Sequence, residues 1–512
     1  MAETSQLEAT GAGRALTAAA VGCAFIASTT GQLLPTLACA LCLAFLAYSR
    51  RVARERGDGL WGLSCRVSEE TPLSVPRGLD FTLNLRLSPS ASWPVRDLEL
   101  AATTSMAGAL VHTVGVVLQR QAVGEIGLPM RLPRAGLAHV HGVGLRASDS
   151  LGLFVTARWV PLEQTLLSVP KRLGPSQTNL ILRAIGAVKD REGRHLERQT
   201  GSGLELRELR EYVPGDALRS VAWKATARRQ RPLVRAFEDE TLRRIQVLVD
   251  MSPSMRFGPP GGTPLDTAVD LIASLAAAAQ PDFVGLTVYD HRVFAHLKPD
   301  VGRFHVQRLT QQLLDLFRVV DEDLTCIADA ELGAVVGNFL HQKVGTDLRT
   351  LVLARVRPNV LAMLTDPLRE LYDEAGLFTE VSRALSRDRD RGQSALFAKS
   401  RPAVSLASAR MRLYCAINGI ELPYRLISEP GDKDRGLAAA VAKNLLAGSA
   451  DALVVISDFE SLDVEGAGMR ALRSARARKK QVAVVPVGLC TPALTRRLAA
   501  VGLRVVEPRL QR

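Results

Sequence analysis

Cysteine, aromatic side chains and lysine are all sparse in this 512-residue chain, and each shortage removes a class of protein. The seven cysteines are scattered, and Cys23, Cys39 and Cys42 lie inside an apolar stretch, which excludes a disulfide framework and makes a reducing compartment the default. Arginine supplies almost all of the net charge of +13, a bias that GC-rich coding can produce, so the basic balance does not make nucleic acid an expected partner. No G-x-x-x-x-G-K-S/T motif occurs, so the chain is not itself a P-loop ATPase. The leader MAETSQLEATGAGR sets Glu3 and Glu8 against Arg14 alone, and without a basic n-region it does not read as a cleaved signal peptide. At 47% hydrophobic and 23% charged residues the chain is too apolar for disorder and too charged for a polytopic transporter. What is left is a body of three or four domains, at about 150 residues each, with a small membrane part.

That membrane part is plain in the pattern. Ala15 to Tyr48 carries no charge, and its 34 positions exceed one spanning helix of about 20 residues. The polar run Ser28-Thr29-Thr30-Gly31-Gln32 divides it into two short spans. Arg14 precedes the first, and Arg50, Arg51, Arg54 and Arg56 follow the second, so both ends are expected on the cytoplasmic face. Residues 1–58 thus read as a hairpin in the cytoplasmic (inner) membrane, a multi-pass anchor with the bulk of the chain in the cytoplasm.

Residues 59–172 change to short alternating runs such as FTLNLRLS and HVHGVGLRA, broken by Pro, Gly, Ser and Asp, the reading of a β-sandwich. His139 and His141 share a strand face there, and without a third ligand at metal spacing they read as a solvated face. Residues 173–240 form a basic connector. In it, Pro214-Gly215-Asp216 is turn chemistry, and Trp223 among Lys224, Arg228 and Arg229 is expected to bury its ring while the cations stay wet.

From residue 241 to 512 buried strands alternate with helices, beginning with IQVLVD (Ile245 to Asp250) and the proline-led start Thr263-Pro264-Leu265-Asp266. This predicts an α/β, Rossmann-like sheet, whose ligands would bind beyond the carboxyl ends of its strands. Two such ends carry acids, Asp250 in DMSPS and Asp458 in SDFE. With the hydroxyls of Ser252 and Ser254, and Thr325 from a separate loop, they offer the oxygen ligands that suit Mg2+ or Mn2+. The same residues also suit helix capping, and both readings stand at this point. A helical insert is expected over about 342–446. In it, Pro358 and Pro367 break one helical pattern, and the charge run Ser386 to Arg391 reads as a solvated linker.

The stretches VLVDMSPSM and SDFE resemble the metal-ion-dependent adhesion site of von Willebrand factor type A domains. Together with LREYVPGDALRSVAWKATAR and RASDSLGLF, they make the chain similar to the bacterial domain-of-unknown-function-58 family over nearly its whole length. The resemblance implies a von Willebrand type A domain with its metal held by Asp250, Ser252, Ser254, Thr325 and Asp458. It also implies a non-enzymatic, membrane-anchored adaptor that acts with a MoxR-type AAA+ ATPase in assembly or chaperone-like work. The partner bound through the metal would be a protein client offering an acidic residue. Ala222 stands where the family usually has an acid before the tryptophan.

Two other classes compete. A metal-assisted hydrolase would need a general base, and His291 and His305, without a matching acid or nucleophile, read as partly exposed structural histidines. A structural membrane scaffold with a vestigial metal site would show no metal effect at all.

Overall fold

The charge-free stretch divides where the chain must turn through a left-handed residue. Helix α1 (Gly11–Thr30) ends on Gly31 at φ 62°, whose N–H returns to the Ala27 carbonyl, and helix α2 (Leu33–Trp61) begins two residues later. A residue without Cβ takes that conformation at little cost. Both helices are long and apolar enough to cross a membrane, and Val21, Phe25, Leu34, Leu41 and Phe45 on them are exposed.

The computed structural model describes residues 6–507 except 90–94, 107, 119–123, 187–195, 214–220, 241, 281, 322, 345–348, 351–370, 373, 388–405, 449, 461, 464, 489–490 and 501. The turn expected at Pro214-Gly215-Asp216, the prolines Pro358 and Pro367, and most of the 386–391 charge run lie outside these. The protein is a mixed α/β chain in two compact units, residues 1–169 with 317–424, and residues 170–316 with 425–512. These units divide the chain differently from the expected bounds at 240, 342 and 446.

In the first unit, β1 (Gln6–Ala9), β10 (Phe154–Val169), β9 (Gly136–Ser148), β5 (Val95–Thr104) and β7 (Val114–Leu118) lie in that order, with β3 (Ser74–Pro76) also on β10. A second sheet runs β2 (Leu63–Val67), β4 (Asp80–Pro89), β8 (Gly124–Arg131), β6 (Leu110–Val111). Alternate residues of both sheets share one core: Leu83, Leu85 and Leu87 from β4, Leu98 and Leu100 from β5, Leu128 and Met130 from β8, Leu145 and Ala147 from β9. The leader ahead of α1 therefore belongs to a sheet whose other strands lie beyond the hairpin. Helix α2 also runs past its arginines into this core. Ala53 and Leu60 are fully buried, the Thr156 hydroxyl donates to the Ala53 carbonyl at 2.9 Å, and Arg158 donates to the carbonyls of Leu60 and Leu63. Arg158→Ala strips the end of α2 of that donor and is expected to cost about 1–3 kcal/mol, read as a lowered unfolding midpoint of the detergent-solubilised chain.

Helices α7 (Asp329–Val344), α8 (Glu374–Arg387) and α9 (Leu406–Ile417) complete this unit around Leu332, Val336, Leu377, Val381 and Cys415, with a short pair β16 (Arg349–Thr350) and β17 (Leu371–Tyr372). They correct the reading of the paired histidines. The strand face is covered, because Phe339 of α7 sits edge-on to His141 at 4.5 Å between ring centres and leaves that histidine buried. His139 is held by the Thr165 hydroxyl at 3.0 Å.

In the second unit, α3 (Pro175–Ala184) leads to an antiparallel pair, β11 (Leu196–Glu211) and β12 (Leu233–Glu240), with α4 (Trp223–Arg229) between them. Trp223 is exposed, contrary to expectation. Val221 bridges to Val234 on β12 and buries Ala222, so the ring that follows is turned outward.

The main sheet has the order β15 (Val293–Asp300), β14 (Phe283–Tyr289), β13 (Arg244–Asp250), β18 (Ala452–Ser457), β19 (Gln481–Pro486), β20 (Arg504–Val505), parallel except for β15. Helix α5 (Pro264–Ala278) starts on a reciprocal cap in which Thr263 Oγ1 accepts from Asp266 N and Asp266 Oδ2 accepts from Thr263 N, both at 3.1 Å. Lys171 N and Leu173 N donate to Asp270 and Ser274 on that helix, which is why this unit begins near residue 170. Helix α6 (Arg303–Leu314) packs against α5. Helix α10 (Asp432–Ala447), placed by the sequence within the insert, is instead part of this unit, since Leu437, Ala440 and Val441 join Leu248, Leu453 and Val455 of the sheet in one core. Helices α11 (Ala467–Ala477) and α12 (Pro492–Ala500) supply the remaining cover, with Met469, Leu472 and Leu498 buried.

Candidate functional site

Three neighbouring strands of the main sheet end in aspartate: Asp250 closes β13, Asp290 follows β14 and Asp458 follows β18. The chain leaves β13 for β14 on one side and returns as β18 on the other, so Asp250 and Asp458 flank the reversal of strand order, where open α/β sheets collect ligands. Asp250 is fully buried. Its Oδ1 accepts from Ser252 N at 2.9 Å, and its Oδ2 accepts from the Ser457 hydroxyl at 2.6 Å. The Ser252 and Ser254 hydroxyls lie 3.2 Å apart. Asp458 is further held by Glu460 N at 3.1 Å. Four of the five residues singled out from the sequence therefore converge.

Thr325, the fifth, has partners of its own. It lies in the other compact unit, buried, where its hydroxyl donates to the Asp321 carbonyl at 2.8 Å and accepts from Arg412. The segment that completes the cluster is the start of α10. Lys433, its second residue and 6% exposed, places its ammonium 3.2 Å from Asp250 Oδ2, donates to Ser254 Oγ at 2.9 Å and is ion-paired to Asp458. Burial works against this charge. The charges and hydrogen bonds of Asp250 and Asp458 outweigh it and hold the lysine above its ordinary pKa.

The third acid has its own cation from the same segment. Arg425 donates to Asp290 Oδ1 at 2.7 Å and reaches Asp432 Oδ2 at 3.2 Å. Asp432 also accepts from Glu429 N at 3.1 Å and pairs with Arg435. Despite its burial, these partners hold its carboxyl below the usual range, Arg435 contributing most. Helix α10 can approach this closely because of Gly436, where a Cβ would fall 1.6 Å from the Asp290 carbonyl oxygen.

Residues 208–373 match the model of a family described as protein of unknown function DUF58. No curated protein matches the chain. The DUF58 match carries Asp250, Ser252 and Ser254 but stops short of Lys433 and Asp458.

The resemblance implied Mg2+ or Mn2+ at this point, and the residues as arranged do not fit such an ion. A hard divalent ion draws oxygen ligands to about 2.0–2.1 Å and keeps waters, whereas here an ammonium stands where Asp250, Ser254 and Asp458 converge. Lys433, Arg425 and Asp290 were not anticipated. The signal available was EPGDKDRG, a dense charge cluster at a helix start directly before a buried strand.

Of the two histidines weighed for catalysis, His291 borders this network, its Nδ1 3.4 Å from the Arg425 guanidinium, and His305 does not. His305 is buried, not partly exposed, with Nε2 2.6 Å from the Val284 carbonyl at the opposite end of β14. His291 is lowered in pKa, chiefly by burial.

Proposed function

We propose that the chain is a membrane-anchored, non-enzymatic adaptor that presents the strand-end loops of its α/β unit, a von Willebrand type A-like domain, to a protein partner. The partner class is a MoxR-type AAA+ ATPase working on a client protein, and the body of the chain lies on the cytoplasmic side of the inner membrane. The observation that carries the reading is the hairpin. Gln6–Ala9 ahead of it pairs with β10, and α2 behind it docks on the same strand, so both ends return to one sheet while the apolar side chains between them stay exposed. Two spans entering and leaving one membrane face would be arranged in this way.

The pairing of the three strand-end acids with internal cations favours a structural role for them, as the non-enzymatic reading expects. Around the cluster the loops carry Phe257, Leu426 and Ile427, each more than four-fifths exposed, and large apolar side chains are the usual anchors of an interface.

The test is co-purification of the detergent-solubilised full chain with a MoxR-type ATPase. Stable association is expected, weakened about tenfold or more by Phe257→Ala with Leu426→Ala, on the scale of an interface anchor. Failure of the two proteins to associate, or hydrolytic activity abolished by Asp250→Asn, would sink the proposal. Extraction of the chain by alkaline carbonate without detergent would refute the anchor.

A further inference from the structure

An ammonium has three hydrogens to donate and no more. Those of Lys433 face three acceptors of its own chain, Asp250 Oδ2, Ser254 Oγ and Asp458 Oδ1. The surroundings fix the lysine there. Asp432 before it is held by Arg425 and by Glu429 N, Asp434 after it accepts from Asp463 N at 3.2 Å, and Gly436 presses the helix onto the Asp290 carbonyl. The charge is therefore delivered by a docked helix and not by a free arm.

We propose that Lys433 is a tethered cation that takes the place of a divalent ion in this cluster, closing it to metal in the native protein, and that its removal leaves a Mg2+ or Mn2+ site formed by Asp250, Ser252, Ser254 and Asp458. Two physical arguments decide between the cations. An ion from solution must first strip its own waters and then displace a buried ammonium, which would exchange both carboxylates for water at most. Lys433 also competes at the concentration set by its own covalent attachment, and the helix that carries it is already in place.

A consequence separates this cluster from a metal centre. A six-coordinate ion bound by protein oxygens keeps positions open for a ligand from another molecule, whereas the three donors of Lys433 are spent. No position is left for a partner's carboxylate. The cluster fastens three loops of the α/β unit and does not itself grip a client, and this holds whichever partner the loops engage.

The experiment is Mn2+ binding to the full chain in detergent, followed by electron paramagnetic resonance of free Mn2+. The native chain is expected to show no site that depends on Asp250. Lys433→Ser, which also supplies a hydroxyl, is expected to bind one Mn2+, lost again when Asp250→Asn is added. An Asp250-dependent Mn2+ site in the native chain overturns the proposal, and so does a folded Lys433→Ser chain that binds none. A second measurement needs no variant. Amine acetylation read by mass spectrometry is expected to spare Lys433 equally with and without Mg2+, and labelling of Lys433 that appears on adding Mg2+ would show that the ion displaces it.

Discussion

Asp250→Ala is expected to destabilise the α/β unit by about 3–5 kcal/mol, the cost of leaving one partner of a buried ion pair uncompensated. Asp250 is fully buried. Its loss leaves Lys433 with Asp458 as its one remaining carboxylate and strips Ser252 N and the Ser457 hydroxyl of their acceptor. Denaturant unfolding followed by near-ultraviolet circular dichroism measures it. The informative comparison is with Asp250→Leu combined with Lys433→Met and Asp458→Leu, which removes the whole buried triad. Apolar replacement of every member of a buried ion cluster is often neutral, so the triple variant is expected to be more stable than Asp250→Ala. A triple variant as unstable as the single one would mean that the ion cluster is not what costs Asp250→Ala its stability. A residue whose work is to grip a partner predicts something else, an unchanged fold with lost binding.

The second large effect is expected at Gly436. A methyl group there would sit 1.6 Å from the Asp290 carbonyl oxygen, a backbone atom that cannot swing away as a side chain does. Gly436→Ala must therefore lift α10 off the end of β14. Forcing atoms into a filled core costs about 1–3 kcal/mol or more, which in a unit of this size corresponds to a fall in midpoint of several degrees. The displacement also draws Lys433, one turn earlier on the same helix, away from its acids. Acetylation of Lys433 is accordingly expected to rise in Gly436→Ala, and unchanged protection would show that the helix start is fixed independently of Gly436.

What could be read from the sequence follows the range of the interactions involved. The start of α5 was legible because its cap is reciprocal between Thr263 and Asp266, three residues apart. The strand ending at Asp250 was legible because a strand buried on both faces reads as an unbroken apolar run. Asp250, Ser252 and Ser254 could be grouped because they share one loop. Lys433 could not be joined to them, since nothing local marks a lysine whose acids lie on two strands elsewhere in the chain. Thr325 was ambiguous for the complementary reason. A threonine before a helix is compatible with a ligand, a cap or, as here, a partner for a buried arginine, and Arg412 is far along the chain. Trp223 was placed inside by its chemistry alone, whereas the pairing of Val221 with β12 decides which way it points. Residues 6–9 gave no sign that they pair with a strand lying beyond two apolar helices.

Helix α2 is continuous for 29 residues, about 43 Å at 1.5 Å per residue, and its last turns are built into the sandwich. An anchor made this way behaves as a strut, not as a leash. A flexible tether would let its cargo sample a hemisphere and would dilute it accordingly. Anchored as proposed, the sandwich would stand at a fixed height above the bilayer, and any change in the tilt of the spans would tilt the sandwich with them. Membrane thickness, which sets tilt through hydrophobic mismatch, would thereby become a mechanical input to that unit.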